Sequence, residues 1–315
     1  MSENTTRVTG RGRPDCSRAN GRARRMAWAL ALCSACAFAG SAAAQTGYVG
    51  ILGGGPIYKQ VPKNIGELKK SGFNELIVWS VEVSSTGDLN LNGEFPLTSD
   101  GAYIGNQTYP NFAADLKKIK KGTVTRVTLS IGSSNYGDWE NIKALVDAQG
   151  TGKNSILYKD FAALKKALPL DAIDFDDENS YDSSSTIAFA VMLGKLGYHV
   201  TMNPYTNSSY WTSVVSQINE QSAGLVDGIH LQTFAGGDGN SPCSSEWDFG
   251  SVPVFPGLSD QTSAPPYKSP TEAEAALANW HSQCGIIGGW LWILDQIVGT
   301  KQVHQYGQDM TKGVE

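Results

Sequence analysis

The sequence predicts a single (β/α)8 TIM barrel over residues 45–315. Three observations point there. Short apolar runs alternate with helix-patterned stretches until eight strand candidates have passed, the order expected of parallel strands with helices between them. The span is about 270 residues, enough for eight such units. No internal repeat, low-complexity run or linker divides it, so one domain is the simplest arrangement.

In chain order, residues 47–52 read as a strand and 61–71 as a helix. The apolar string ELIVWSV at 75–81 is the second strand. Residues 82–107 form a long polar insert with Gly, Asn and Asp at its turns, expected as a hairpin over one rim. A helix at 112–121 carries a lysine-rich outer face, and 125–131 is the third strand. Helical patterns at 140–148 and 156–167 lead to an acidic strand at 170–178. Then come a helix at 185–196, a strand at 199–202, a helix at 210–221 and a strand at 226–234. Residues 241–250 are irregular and stand where a helix is due; 253–255 is a short strand. The helix at 271–283 opens with Thr271 and has Glu274 three residues on, a capping-box spacing. The eighth strand lies at 286–294, and a polar helix at 302–311 closes the chain.

Residues 1–44 are expected to be a cleaved signal peptide rather than part of the fold. An Arg-rich region ends in Arg22-Ala23-Arg24-Arg25, an apolar core follows at 27–39, and Ser41-Ala42-Ala43-Ala44 supplies a small-residue cleavage site. The core is too short to span a bilayer comfortably. Export predicts a secreted protein, extracellular or periplasmic.

Of the 25 basic and 30 acidic residues, seven arginines, Glu3 and Asp15 fall in that leader, leaving 18 and 28, a net charge near −10. The only arginine left is Arg126. Such a balance argues against nucleic acid and against anionic membranes. A neutral polymer such as a glycan makes no such demand, and a monomer is expected. Cys243 and Cys284 remain, an even number in an oxidising compartment. The strand reading nevertheless puts Cys284 at the start of the last strand and Cys243 in a loop leaving the opposite end of the barrel, so their pairing stays open.

The chain is organised around Leu170-Asp171-Ala172-Ile173-Asp174-Phe175-Asp176-Asp177-Glu178. Read as a strand with a side-chain period of two, it puts Asp174, Asp176 and Glu178 on one face and Ile173 and Phe175 on the other. Three stacked carboxylates repel and lose hydration, so fold stability alone would favour Val or Ile. A solvated acidic loop is weakened by the interleaved Ile and Phe. A calcium loop is weakened by Asn179 where that pattern wants Gly. A catalytic row with pKa values driven apart by crowding fits better.

The spacing Asp171-x-x-Asp174-x-Asp176-x-Glu178 resembles the DxxDxDxE signature of glycoside hydrolase family 18, the chitinases and endo-β-N-acetylglucosaminidases, and DFDDE looks most like the Endo H type. The resemblance implies that Glu178 is the general acid/base, that Asp176 orients the substrate acetamido group, that Asp174 shares a proton with Asp176, and that Asp171 supports the turn into the strand and belongs with the substrate-binding set. Ser130-Ile131-Gly132-Ser133 resembles the family's SxGG, with Ser133 in place of the second Gly. Gly288 to Asp295 (GGWLWILD) looks like the family's last strand, where a Trp floors the sugar subsite. Trp292 fits the W-x-x-D spacing, and Trp290 shares its strand face; an aromatic floor suits the C–H face of a sugar, while core packing is the plain alternative. Met202-Asn203-Pro204-Tyr205 resembles an APY-like segment and makes Tyr205 a cleft residue. Tyr136, Trp139, Tyr210, Trp211 and Trp247 are open between cleft and core.

The sixth strand departs from the pattern. Gln232 matches the Gln of plant-type members, but Phe234 stands where the family usually has a Tyr that helps hold the acetamido oxygen. A phenyl ring donates no hydrogen bond. His230 has the strand parity of Gln232 and reads as a structurally satisfied histidine. The four histidines outside the leader lack ligand spacing, no nucleophile-elbow string or phosphate loop is present, and neither metal nor organic cofactor is implied. The expected activity is retaining hydrolysis of β-1,4-linked N-acetylglucosamine in chitin or in the chitobiose core of N-glycans. Substrate assistance is implied by the resemblance, since this family is an exception to the two-carboxylate scheme. The rivals are a catalytically silent glycan-binding barrel and a glycosidase for another sugar.

Overall fold

The computed structural model describes residues 46–315 apart from Gln60 and Asn135, and of Val61 and Pro62 only the backbone. The expected leader, with Cys16, Cys33 and Cys36, lies outside the described residues.

Eight parallel strands among these residues close on themselves: β1 (Val49–Gly53), β2 (Glu75–Val83), β3 (Arg126–Ile131), β4 (Ala172–Phe175), β5 (His199–Met202), β6 (Val226–Gln232), β7 (Val254–Ser259) and β8 (Gly289–Trp292). Closure is at β1, where Gly50 pairs with Glu75 on one side and Trp290 on the other. The helices are α1 (Val61–Leu68), α2 (Phe112–Ile119), α3 (Asp138–Gln149), α4 (Ile156–Ala167), α5 (Ser183–Lys195), α6 (Ser208–Gln221), α7 (Pro270–Cys284), α8 (Leu294–Ile297) and α9 (Gln302–Lys312). Segment 82–107 extends β2 antiparallel to Leu89–Leu91, which pairs with Phe95–Pro96, so the insert builds on the C-terminal rim.

Strand parity divides the apolar residues between two cores. Outward residues join the large core under the helices: on β4, Ile173 and Phe175 are fully buried, and Phe175 stacks on Phe189 of α5 at 5.4 Å. A buried Phe of this kind contributes about 2–3 kcal/mol. Inward residues form a smaller cluster of Leu52, Ile77, Phe234, Phe255, Trp290 and Ile293 inside the barrel.

Four expectations shift. Strand β7 runs on through Pro256 and Gly257, two residues that discourage a strand in sequence; Gly257 is needed because a Cβ there would lie 2.4 Å from the Trp290 ring. The cap of α7 is Ser269, not Thr271: Ser269 and Glu272 form the capping box, with Pro270 in the first turn. Strand β8 is confined to Gly289–Trp292, and Cys284 ends α7 instead of opening the strand. Lastly, the segment after β6, which has two short 3-10 turns in place of an α-helix, brings Cys243 to Cys284, and the two form a disulfide, Cα to Cα 5.5 Å.

Candidate active site

The acidic strand delivers its side chains as its parity requires. Asp176 and Glu178 line a hollow of about 290 Å³ at the C-terminal mouth of the barrel. Asp174 lies beneath them, fully buried. Asp177 breaks the alternation: its carboxylate accepts the backbone N–H groups of Asn179, Ser180 and Tyr181 and fixes the loop beyond the strand.

Asp174 is saturated. Its Oδ1 accepts from Thr201 Oγ1 at 2.5 Å and faces His230 Nδ1 at 2.8 Å; its Oδ2 accepts from Ser130 Oγ at 2.9 Å and Asn203 Nδ2 at 3.0 Å. Burial pushes its pKa up, but the His230 charge and these donors outweigh burial and hold it below the usual carboxylate range.

Asp176 has the opposite fate. Burial, then the charges of Glu178 and Asp174, push it well above its ordinary value. The Trp79 indole N–H is near enough to favour the ionised form without reaching hydrogen-bond geometry. Gln232 Nε2 donates to Asp176 Oδ1 at 3.3 Å and also supports Glu178. Glu178, half-buried, is raised chiefly by burial, against hydrogen bonds from Gln232 and Asp176. Asp176 and Glu178 thus form an interacting pair that holds a proton more tightly than free carboxylates do, above an Asp174 whose four partners favour its ionised form. Such a pair can donate a proton to a leaving oxygen and then take one back.

Aromatic and polar residues complete the hollow. Trp292 and Trp290 of β8 both face it, as do Tyr205, Phe234 and Trp79. Trp292 is the more exposed and stands at the mouth; Trp290 is buried one layer down, beside His230. Asn203 Oδ1 and Trp290 Nε1 are buried without a hydrogen-bond partner. Gly132 brings the strand-3 loop against the acid row: with φ at +95°, a Cβ there would lie 2.5 Å from the Asp176 carbonyl oxygen. Ser133, next to it, lines the hollow. Asp295 accepts from Gly54 N at 2.9 Å, so the W-x-x-D spacing ties the ends of β8 and β1.

Asp171 does not belong to this site. It precedes β4, where its carboxylate accepts from Val127 N and pairs with Lys120 at 2.5 Å. Glu178 lies seven positions further on, roughly 23 Å at full strand rise. It supports the turn into the strand and contacts no part of the hollow. Trp139, Trp211 and Trp247 are core residues, and Tyr136 is exposed. Trp79 was missed in sequence, although the period-two series Glu75, Ile77, Trp79 carries the same signal that located Asp176 and Glu178.

The barrel fold is that of solved glycoside hydrolase family 18 proteins. A fungal endo-β-N-acetylglucosaminidase of that family superposes with a TM-score of 0.57 at 17% identity, covering 82% of this chain and 90% of that one. A family 18 chitinase mutant from Cycas revoluta, solved with (GlcNAc)4, gives 0.55 at 10% identity, covering 83% and 99%. A xylanase-α-amylase inhibitor protein solved with trehalose gives 0.50 at 15%, covering 84% and 100%. No protein-family model and no curated protein matches the sequence.

Proposed function

We propose that this chain is a secreted retaining glycosidase of the family 18 type, acting on β-1,4-linked N-acetylglucosamine by substrate-assisted catalysis. One observation carries the reading: two adjacent carboxyls, Asp176 and Glu178, both pushed above their ordinary pKa chiefly by burial, open onto a sugar-sized hollow walled by Trp292, Trp290 and Tyr205. Glu178 donates its proton to the glycosidic oxygen. The acetamido carbonyl of the substrate attacks the anomeric carbon, and Asp176 accepts the acetamido N–H and stabilises the positive charge on the cyclised oxazolinium. Glu178 then deprotonates the incoming water, which opens the ring with retention. The substrate class is supported by the motif resemblance and by structural neighbours that include an endo-β-N-acetylglucosaminidase and a chitinase mutant solved with (GlcNAc)4. Secretion rests on the leader at 1–44.

A second reading, a barrel that binds glycan without cleaving it, is favoured by Phe234, which removes the expected hydroxyl donor, and by the inhibitor protein on the same fold. Two measurements separate the readings. A thiazoline mimic of the oxazolinium should inhibit release of reducing ends from chitin oligomers, and NMR of the first product should show the β-anomer. A chain that binds those oligomers and releases nothing supports the second reading. Hydrolysis indifferent to the thiazoline contradicts substrate assistance.

A further inference from the structure

Below the mouth, the barrel interior holds an array of alternating charge. Asp227 takes a bidentate pair from Arg126, with both nitrogens at 2.7 Å. Arg126 Nε donates to Glu75 Oε1 at 3.0 Å. Glu75 Oε2 lies 3.2 Å from His230 Nε2, and His230 Nδ1 lies 2.8 Å from Asp174 Oδ1. Glu75, His230 and Asp174 are each 1% exposed or less.

The residues around His230 decide its charge. Strand β2 presents Glu75, β4 presents Asp174, and β3 presents Thr128 and Arg126 beyond Glu75. Strands β7 and β8 present the uncharged Phe255 and Trp290. A neutral imidazole has one lone pair, and here either ring nitrogen would aim it at a buried carboxylate. An imidazolium donates to both. Asp174, in turn, has two donors or donor-capable groups at each oxygen, which fills the roughly four acceptor positions of a carboxylate and leaves none for a proton. With charges alternating as far as Asp174, a further anion at Asp176 would sit against a like charge.

We propose that His230 is a positioning residue: as an imidazolium clamped between Glu75 and Asp174, it locks Asp174 as a carboxylate and confines the movable proton of the acid row to Asp176 and Glu178. This rests on the glycosidase reading and alters one part of it. The resemblance implies a proton shared between Asp174 and Asp176, whereas here the resting site already holds Asp176 paired with Glu178. No proton has to be moved off Asp174 before Asp176 can serve the acetamido group.

The direct test is imidazole ¹⁵N NMR of the full chain, with the His230 resonances assigned by elimination from His199→Gln, His281→Gln and His304→Gln. Both ring nitrogens should remain protonated from pH 6 to 8. A neutral tautomer at pH 7 overturns the proposal. This readout needs no turnover, so it stands apart from the glycosidase reading, whose failure would show as absent hydrolysis by the parent chain. The second readout is the pH profile of kcat/KM. Loss of the cation should tighten the hold on the shared proton and move the alkaline limb of His230→Gln upward by about one unit, with kcat falling at least tenfold. A lower amplitude at an unmoved limb would mark a merely structural histidine and overturn the proposal. Should His230→Gln fail to fold, Glu75→Gln keeps the test open: removing one flanking carboxylate should bring the His230 titration down below pH 9, and an unchanged titration contradicts the clamp.

Discussion

Phe234 lies nearly parallel to Trp292, ring centres 6.2 Å apart at 28°, and meets Trp290 edge-on at 5.5 Å. The position that would supply a hydroxyl to the acetamido oxygen is thus built into the aromatic wall of the hollow. Phe234→Tyr should restore a donor while keeping the ring contacts. A transition-state donor contributes on the order of 3 kcal/mol, so kcat should rise by about ten- to a hundredfold with little change in thermal stability. Steady-state kinetics on a chitin oligomer checks this; an unchanged kcat means the oxygen is held by another group.

Gly132 should not tolerate a side chain. With φ at +95° and a Cβ 2.5 Å from the Asp176 carbonyl oxygen, Gly132→Ala combines backbone strain with a clash against the acid row. Denaturant unfolding should show a loss of at least about 2 kcal/mol, and activity should drop more than tenfold in the fraction that folds. Gly137 also has positive φ but nothing within 4 Å, so Gly137→Ala should carry the backbone penalty without the clash and leave activity nearly unchanged.

His230 predicts a stability profile at high pH. Burial alone would lower its pKa, but Glu75 and Asp174 reverse this and raise it from 6.5 to about 10. A folded-state value above the unfolded one gives stability that is fully present below about pH 6.5 and is lost as pH rises through about 10. Urea unfolding should therefore show stability declining between pH 7 and 10 by a few kcal/mol, and His230→Gln should flatten that decline. On the acid side, Glu75 and Asp174 are both held below their ordinary values, so their contribution is present above the unfolded carboxylate range and fades as pH falls through their folded values.

The Cys243–Cys284 bond closes a 41-residue separation far from the acid row. In the chain-entropy picture a loop of this length is worth about 4 kcal/mol. The double Ser variant should melt several degrees lower, and below that transition its kcat should match the parent. Loss of activity without a change in melting would show a contact between this segment and the site.

The fold was legible where residues obey a period. Alternation in the acidic strand located Asp174, Asp176 and Glu178 on one face, and the apolar runs located all eight strands. Features that depend on distant partners were not legible. Strand β7 carries Gly257 because the Trp290 ring fills the space a Cβ would need, a packing fact no local propensity carries. The disulfide depends on the path of a segment that has only 3-10 turns where an α-helix was due. The array from Asp227 to Asp174 joins residues as far as 155 positions apart, as between His230 and Glu75, and no spacing rule connects them. Asp171 shows the converse: it belongs to the motif by spacing, yet lies at the other end of the strand from the chemistry.

The central claim is that Glu178 delivers the proton that breaks a β-linked N-acetylglucosamine bond. It is tested most directly by release of reducing ends from chitin oligomers and a high-mannose glycopeptide by the parent and by Glu178→Gln, with binding of the same ligands followed by calorimetry. The account predicts hydrolysis of at least one substrate by the parent and a fall of a thousandfold order, roughly 4 kcal/mol, in the variant with binding retained. Equal hydrolysis by the two proteins, or none by the parent, would contradict it.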